Sequence, residues 1–157
     1  MRFKPFSYQN IEDFKNDIRE MGLDIPFSEN LGLLSAKVEM GNFTLANSLS
    51  IHPMEGSDGK SDGSPGELTI RRYERFSRSG AALIWFEAVA VVPEGRASSR
   101  QLWIHRDNLS AFKKLCSDII ENSIREFGFT PLLIMQLTHS GRFSKPEGKP
   151  APIIAAH

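Results

Sequence analysis

The chain has a single cysteine, Cys116, among 157 residues. A lone thiol excludes an internal disulfide framework and fits a reducing compartment. An excess of one charge is missing as well: 19 Lys and Arg balance 19 Asp and Glu, for a formal net charge of +0. No overall field therefore draws the chain to nucleic acid or to an anionic membrane surface. No apolar run approaches the roughly 20 residues of a membrane span. The opening stretch Met1-Arg2-Phe3-Lys4-Pro5 is basic but leads into the polar segment Tyr8 to Glu20, not into an apolar core, so no signal peptide is expected. His52, His105, His139 and His157 never pair at metal-ligand spacing, so no metal site is expected. What is present, 40% hydrophobic and 24% charged residues, is the balance of one soluble globular domain, expected in the cytoplasm.

The most informative stretch is Leu49-Ser50-Ile51-His52-Pro53-Met54-Glu55-Gly56. A short apolar run stops at Pro53, which cannot donate to a sheet ladder, and a loop crowded with Gly, Asp and Ser follows to Gly66. This reads as a buried strand facing a glycine-rich loop, the position where parallel α/β folds put their chemistry. Ala82 to Ala88 and Pro131 to Gln136 repeat the pattern, so three strand ends form the expected functional rim.

Around them the chain reads in order. Ile11, Phe14, Ile18 and Met21 share one face of a helix over about 10–21, stopped by Gly22. Alternation over Leu33 to Met40, a Gly41-Asn42 turn and the return Phe43 to Leu45 predict a β-hairpin. Ser64, Pro65 and Glu67 predict a capped helix running to about Ser79 and burying Ile70, Tyr73 and Phe76. Asp107 is the expected cap of a second long helix with Leu109, Phe112, Leu115, Cys116, Ile119 and Phe127 as its apolar stripe, ended by Gly128. Leu132 to Met135 then form the third strand, and from Thr138 the chain reads as loop. Strands alternating with helices imply right-handed crossovers and a parallel sheet.

Three motifs in this order carry a resemblance: Asn47-(x)5-Pro53-Met54, then Glu87-Ala88-(x)4-Pro93-(x)-Gly95-Arg96, then Gln136-Leu137-(x)-His139-(x)-Gly141-Arg142. Together they resemble the old yellow enzyme family of NADH:flavin oxidoreductases from about Leu33 onward. The resemblance implies an α/β fold that is a partial (β/α)8 TIM barrel: an N-terminal hairpin and the first three parallel βα units, preceded by an N-terminal helix. Residues 1–30 are then a helical extension and 31–157 the first part of an FMN-binding barrel. It also implies FMN at the carboxyl mouth, NADH or NADPH as reductant, and an activated alkene as the small-molecule substrate. The chain would contribute to an enzyme but be inactive alone, with self-association into a homo-oligomer compatible with this reading.

By position, the resemblance puts the backbone of His52 and Pro53, with Met54 and Glu55, along the flavin ring. Ala88 would approach its pyrimidine side, and Gln136 would hydrogen-bond it through the amide. A flavin site needs a flat apolar wall and a few placed polar groups, which these residue types supply. Glu55 departs from the family, which commonly has Cys or Thr there; a carboxylate would lower the flavin potential, and a protonated acid could donate a hydrogen bond. The family's proton-donor Tyr, substrate-binding His pair and phosphate loops belong to later strands, so no catalytic residue is assigned within this chain, His157 included. The alternative is a non-catalytic half-barrel that persists by pairing with another chain.

Other features have plainer readings. Asp58 to Gly63 has the wrong ligand spacing for a calcium loop and is expected to be a turn. His139 and Arg142 are expected to brace the rim more than to touch substrate or phosphate. Cys116 is expected in the core. Arg71, Arg72, Arg75 and Arg78, interspersed with Glu74, are expected to form a solvated helix face.

Overall fold

The computed structural model describes residues 6–155, so the basic start 1–5 and His157 lie outside the described residues. The chain divides into two compact units between Leu31 and Gly32. In the first, helix α1 spans Ile11–Glu20. Asn10 caps it by accepting the Asp13 amide at 2.9 Å, satisfying one of the orphan N–H groups of the first turn. Ile18 is buried, whereas Ile11 and Met21, expected on the same buried face, are 42% and 56% exposed. Ile11 opens the helix and Met21 is its C-cap, so both lie at the ends of the stripe.

The second unit opens on a helical turn, α2 (Gly32–Ser35), where the alternation had predicted the start of a strand. A local bond from the Ser35 hydroxyl to the Gly32 carbonyl at 3.2 Å favours the turn. The hairpin follows as β1 (Val38–Met40) and β2 (Phe43–Leu45), antiparallel about Gly41, whose φ of 59° suits glycine. Then come β3 (Ser50–Ile51), α3 (Glu67–Ser77), β4 (Leu83–Ala90), α4 (Leu109–Phe127) and β5 (Leu132–Thr138). β3, β4 and β5 form a three-stranded parallel sheet in that order.

Helices and sheet meet in a core of Tyr73, Ile84, Phe86, Leu115 and Ile119, with Ile51, Phe76, Cys116 and Leu133 packed against it. Tyr73 and Phe86 stack at 4.4 Å between centroids. Burying such side chains stabilises the fold by about 1.5–3 kcal/mol each. Cys116 is half-buried there, and burial pushes its thiol pKa up, away from reactivity. Ile70, expected in this core, is 44% exposed. The buried face of α3 is set by Thr69, Tyr73 and Ser77, one helical turn apart, and Ile70 falls beside it.

Both helix starts differ from expectation. The N-cap of α3 is Gly66, not Ser64, and Thr69 Oγ1 accepts the Gly66 amide at 3.3 Å. A Cβ on Gly66 would stand 2.3 Å from the Asp58 carbonyl oxygen, so the close crossing of the glycine-rich loop selects glycine there. Ahead of α4, Asp107 is exposed, and Asn108 Oδ1 accepts the His105 amide at 2.9 Å over a short 3-10 turn. Gly128, with φ 75°, ends α4 in the left-handed conformation.

Candidate functional site

The amino end of the sheet is apolar. Leu45, Ala82 and Leu83 form its core, joined by Val38, Phe129, Leu132 and Ile134, so the hairpin packs under the strand starts. Asn47, the first residue of the motif series, belongs to this end. Its amide donates to the Gly80 carbonyl at 2.8 Å and its oxygen accepts from Leu49 and Ala82, joining the entries of β3 and β4.

The carboxyl end is built differently. Between Phe86↔Met135 and Val89↔Leu137 the register of β4 and β5 shifts, so Glu87 and Ala88 together oppose Gln136. This β-bulge detaches backbone groups from the ladder. Side chains recover them: the Glu87 amide donates to the Tyr73 hydroxyl at 2.8 Å, and Gln101 Nε2 donates to the Ala88 carbonyl at 3.2 Å. Past the bulge the ladder resumes through Ala90↔Thr138. Ala88 and Gln136 therefore lie inside their strands, two residues before the ends, not at or beyond them as the sequence suggested. Ala90 also bonds Leu102 and Ile104, which extends the strand beyond the apolar run that announced it.

A buried ionic cluster anchors the loop after β3 to this bulge. Glu87 is 1% exposed. One of its oxygens is bound by Arg72 Nη2, and the other accepts the Gly56 amide at 2.9 Å. Arg72 also forks onto both oxygens of Asp58, with Nη2 to Oδ1 at 3.1 Å, and Thr69 Oγ1 donates to the same carboxylate. Arg72 is thus no part of a solvated face. It lies three residues after Thr69 and four before Phe76, on the inward side of α3, while Arg71, Arg75 and Arg78 are exposed. Burial pushes the Asp58 pKa up, but the bonds from Arg72 and Thr69 outweigh it and hold it below the usual aspartate range. Burial likewise opposes charge on Arg72, and its two carboxylates more than compensate. Desolvation first, and then the negative charge of Glu87, raises the Glu55 pKa against a weaker opposing bond from Ser57.

The remaining motif residues knit the rim. Arg96 is buried over the Trp103 ring and donates to the carbonyls of Ser61, Pro93 and Ser99. The Ser140 amide donates to the Gly95 carbonyl at 2.8 Å, where the His139 ring would collide with any added Cβ. His139 Nδ1 accepts the Gly141 amide at 3.0 Å, which makes bracing its visible role. Asp62 accepts the Ser64 amide at 3.0 Å, and Asp58 is taken by Arg72, so the stretch 58–63 is a turn.

His52, Pro53, Met54 and Glu55 follow the end of β3, turned by a bond from the Met54 amide to the His52 carbonyl at 2.9 Å. Met54 is 76% exposed, Ala88 and Gln136 are half-buried, and the Gln136 amide has no hydrogen-bond partner among the described residues. The bulge sets Ala88 opposite Gln136, and the Gly56–Glu87 bond ties the His52–Glu55 loop beside them. Sequence reasoning passed over Thr69, and it read Asp58 as part of a turn, Arg72 as part of a solvated face and Tyr73 as a core residue only. The spacing of Arg72 from Thr69 and Phe76, and a glutamate inside an apolar strand, were the available signals.

No family model matches the chain. Among solved structures, the fold is similar to morphinone reductase in complex with tetrahydroNAD (27% identity, TM-score 0.55, 71% of this chain and 28% of that one). It is similar to the old yellow enzyme from Trypanosoma cruzi (25% identity, TM-score 0.55, 72% of this chain and 28% of that one). An old yellow enzyme homologue from Zymomonas mobilis matches at 24% identity and TM-score 0.57, over 69% of this chain and 28% of that one. The chain therefore spans less than a third of the length of the structures it matches, and its structural neighbours are old yellow enzyme homologues, the family its three motifs resemble.

Proposed function

We propose that this chain forms the amino-terminal part of an FMN-dependent NAD(P)H oxidoreductase, folded as the opening of a (β/α)8 barrel. The observation that carries this reading is the carboxyl end of β4 and β5, where Ala88 faces Gln136 across the bulge beside the anchored loop 52–56. These residues suit a flavin. Met54 and Ala88 offer apolar surface, and the uncommitted Gln136 amide offers both a donor and an acceptor next to it.

Bound flavin would supply hydride transfer from reduced nicotinamide to an activated alkene. The chain's own residues have simpler tasks. Pro53, Met54 and Ala88 would wall the ring, the backbone at His52 would lie along it, and Gln136 would fix its polar edge. Glu55, shifted toward its neutral form, would donate a hydrogen bond when protonated and disfavour added negative charge when ionised. Substrate protonation and phosphate binding would fall to later strands, so the chain alone would be inactive. The sheet face that carries Trp85, 40% exposed, and the strand end at Leu137, 60% exposed, would be covered by further barrel strands.

Titration of FMN into the protein tests the reading. Weak but saturable quenching of flavin fluorescence is expected, because phosphate binding falls to later strands, and Gln136→Leu should weaken binding about tenfold further. Absence of saturable binding, or equal affinity in the variant, would overturn it.

A further inference from the structure

We infer that Arg72 is a positioning residue: by bridging Asp58 and Glu87 at once it fixes the loop after β3 against the β4 bulge, and so sets where Met54 and Glu55 stand. What that loop faces rests on the flavin reading; the anchoring rests on contacts alone.

The loop has little else to hold it. β3 is two residues long, so its ladder with β4 ends at Ile51↔Ile84. Beyond it, His52, Met54, Glu55, Gly56 and Ser57 are all exposed. Three contacts bring the loop back: the Gly56 amide on Glu87, the Asp58 carboxylate on Arg72 and the Thr69 hydroxyl on Asp58. The first two depend on one guanidinium. Glu87 is 1% exposed, and a charge buried there is costly unless a cation pairs it. Asp58 draws on the same cation, leaving the three charges at a formal net of minus one.

The shape of the group matters as much as its charge. A Cβ built on Gly56 would stand 2.0 Å from Arg72 Nη1, 2.3 Å from Nη2 and 2.4 Å from Cζ, so the two-nitrogen edge of the guanidinium presses against the loop backbone where only glycine leaves room. A planar fork reaches two carboxylates on different segments at once, which a lysine ammonium on a flexible stem does not reproduce. Arg72 therefore acts at a distance from any bound ring, by holding the backbone that would line it.

Hydrogen exchange of the full chain tests this, read at residues 54–58 and at α3 in the parent, Arg72→Lys, Arg72→Gln, Glu87→Gln and the Arg72→Gln/Glu87→Gln pair. Arg72→Lys should unfold cooperatively and keep α3 protected, while amides 54–58 exchange about tenfold faster. FMN affinity should fall about tenfold in the same variant. The paired variant should lose less loop protection than the two single changes summed, because no unpaired buried carboxylate remains at Glu87. Should the Arg72 variants fail to fold, Glu87→Gln alone decides, with faster exchange at Gly56 expected. Parent-like exchange of the loop in every folded variant, or strict additivity in the pair, would overturn the inference. If the parent binds no flavin, the functional reading falls, while loop exchange still decides the role of Arg72.

Discussion

The two ends of one sheet are built on opposite principles. At the amino end, Leu83 and Leu132 pair in register and pack with Leu45 and Phe129, and Asn47 ties the strand entries by three hydrogen bonds. At the carboxyl end the same two strands fall out of register, and the space is held by Asp58, Arg72, Glu87 and Gln101. The difference teaches where each kind of interaction is useful. Apolar packing holds strands together without specifying a direction. A bulge braced by charges and hydrogen bonds holds particular backbone atoms in particular places, at the cost of desolvating polar groups. Regular packing at one end and irregular polar bracing at the other is the division of labour seen between the stability and chemistry faces of α/β barrels.

This contrast can be broken from either side. The largest effect is expected from Leu83→Ala at the amino end, about 2–3 kcal/mol of lost stability in urea unfolding, toward the lower part of the large-to-small range because Leu83 retains 8% exposure. It should leave FMN affinity of the folded protein within about twofold; a collapse of binding would merge the two ends into one functional unit. Gly56→Ala should cost less, about 1–2 kcal/mol, because the new methyl must displace the Arg72 guanidinium. Unlike Leu83→Ala, it should weaken FMN binding out of proportion to its effect on unfolding.

The smallest effect is on acid stability. The Asp58 pKa is held below its unfolded value, so its contribution is complete above the ordinary aspartate pKa of about 3.9 and is lost as pH falls through the folded value. Stability curves of the parent and of Asp58→Asn should therefore converge as pH falls below about 4. Curves that stay parallel down the whole acid range would show that Arg72 does not govern Asp58.

Much of the frame was legible because it rests on local chemistry. The stops at Gly22 and Gly128, the turn at Gly41-Asn42 and the apolar run from Ala82 each follow from backbone preference or periodicity, and the corresponding elements are present. The boundaries were less legible. Ser64 and Asp107 are good caps by type, but Gly66 and the His105–Asn108 turn take those places, since the glycine-rich loop must cross close beneath α3. Helical spacing put Ile70 inside, yet Thr69 and Arg72 hold the inward side because partners wait there on other segments.

By itself, the sequence determined most of the strands and helices, their order, and the three strand ends at which function was sought, because periodicity and turn chemistry act within a few residues. The helical turn Gly32–Ser35 is the exception. Tertiary structure alone decided that Glu87 and Ala88 bulge against Gln136, and that Arg72 turns inward between Asp58 and Glu87. Those outcomes depend on the pairing of groups distant along the chain, and the cost of burying a carboxylate is met or not met only once the chain has brought its counterion beside it.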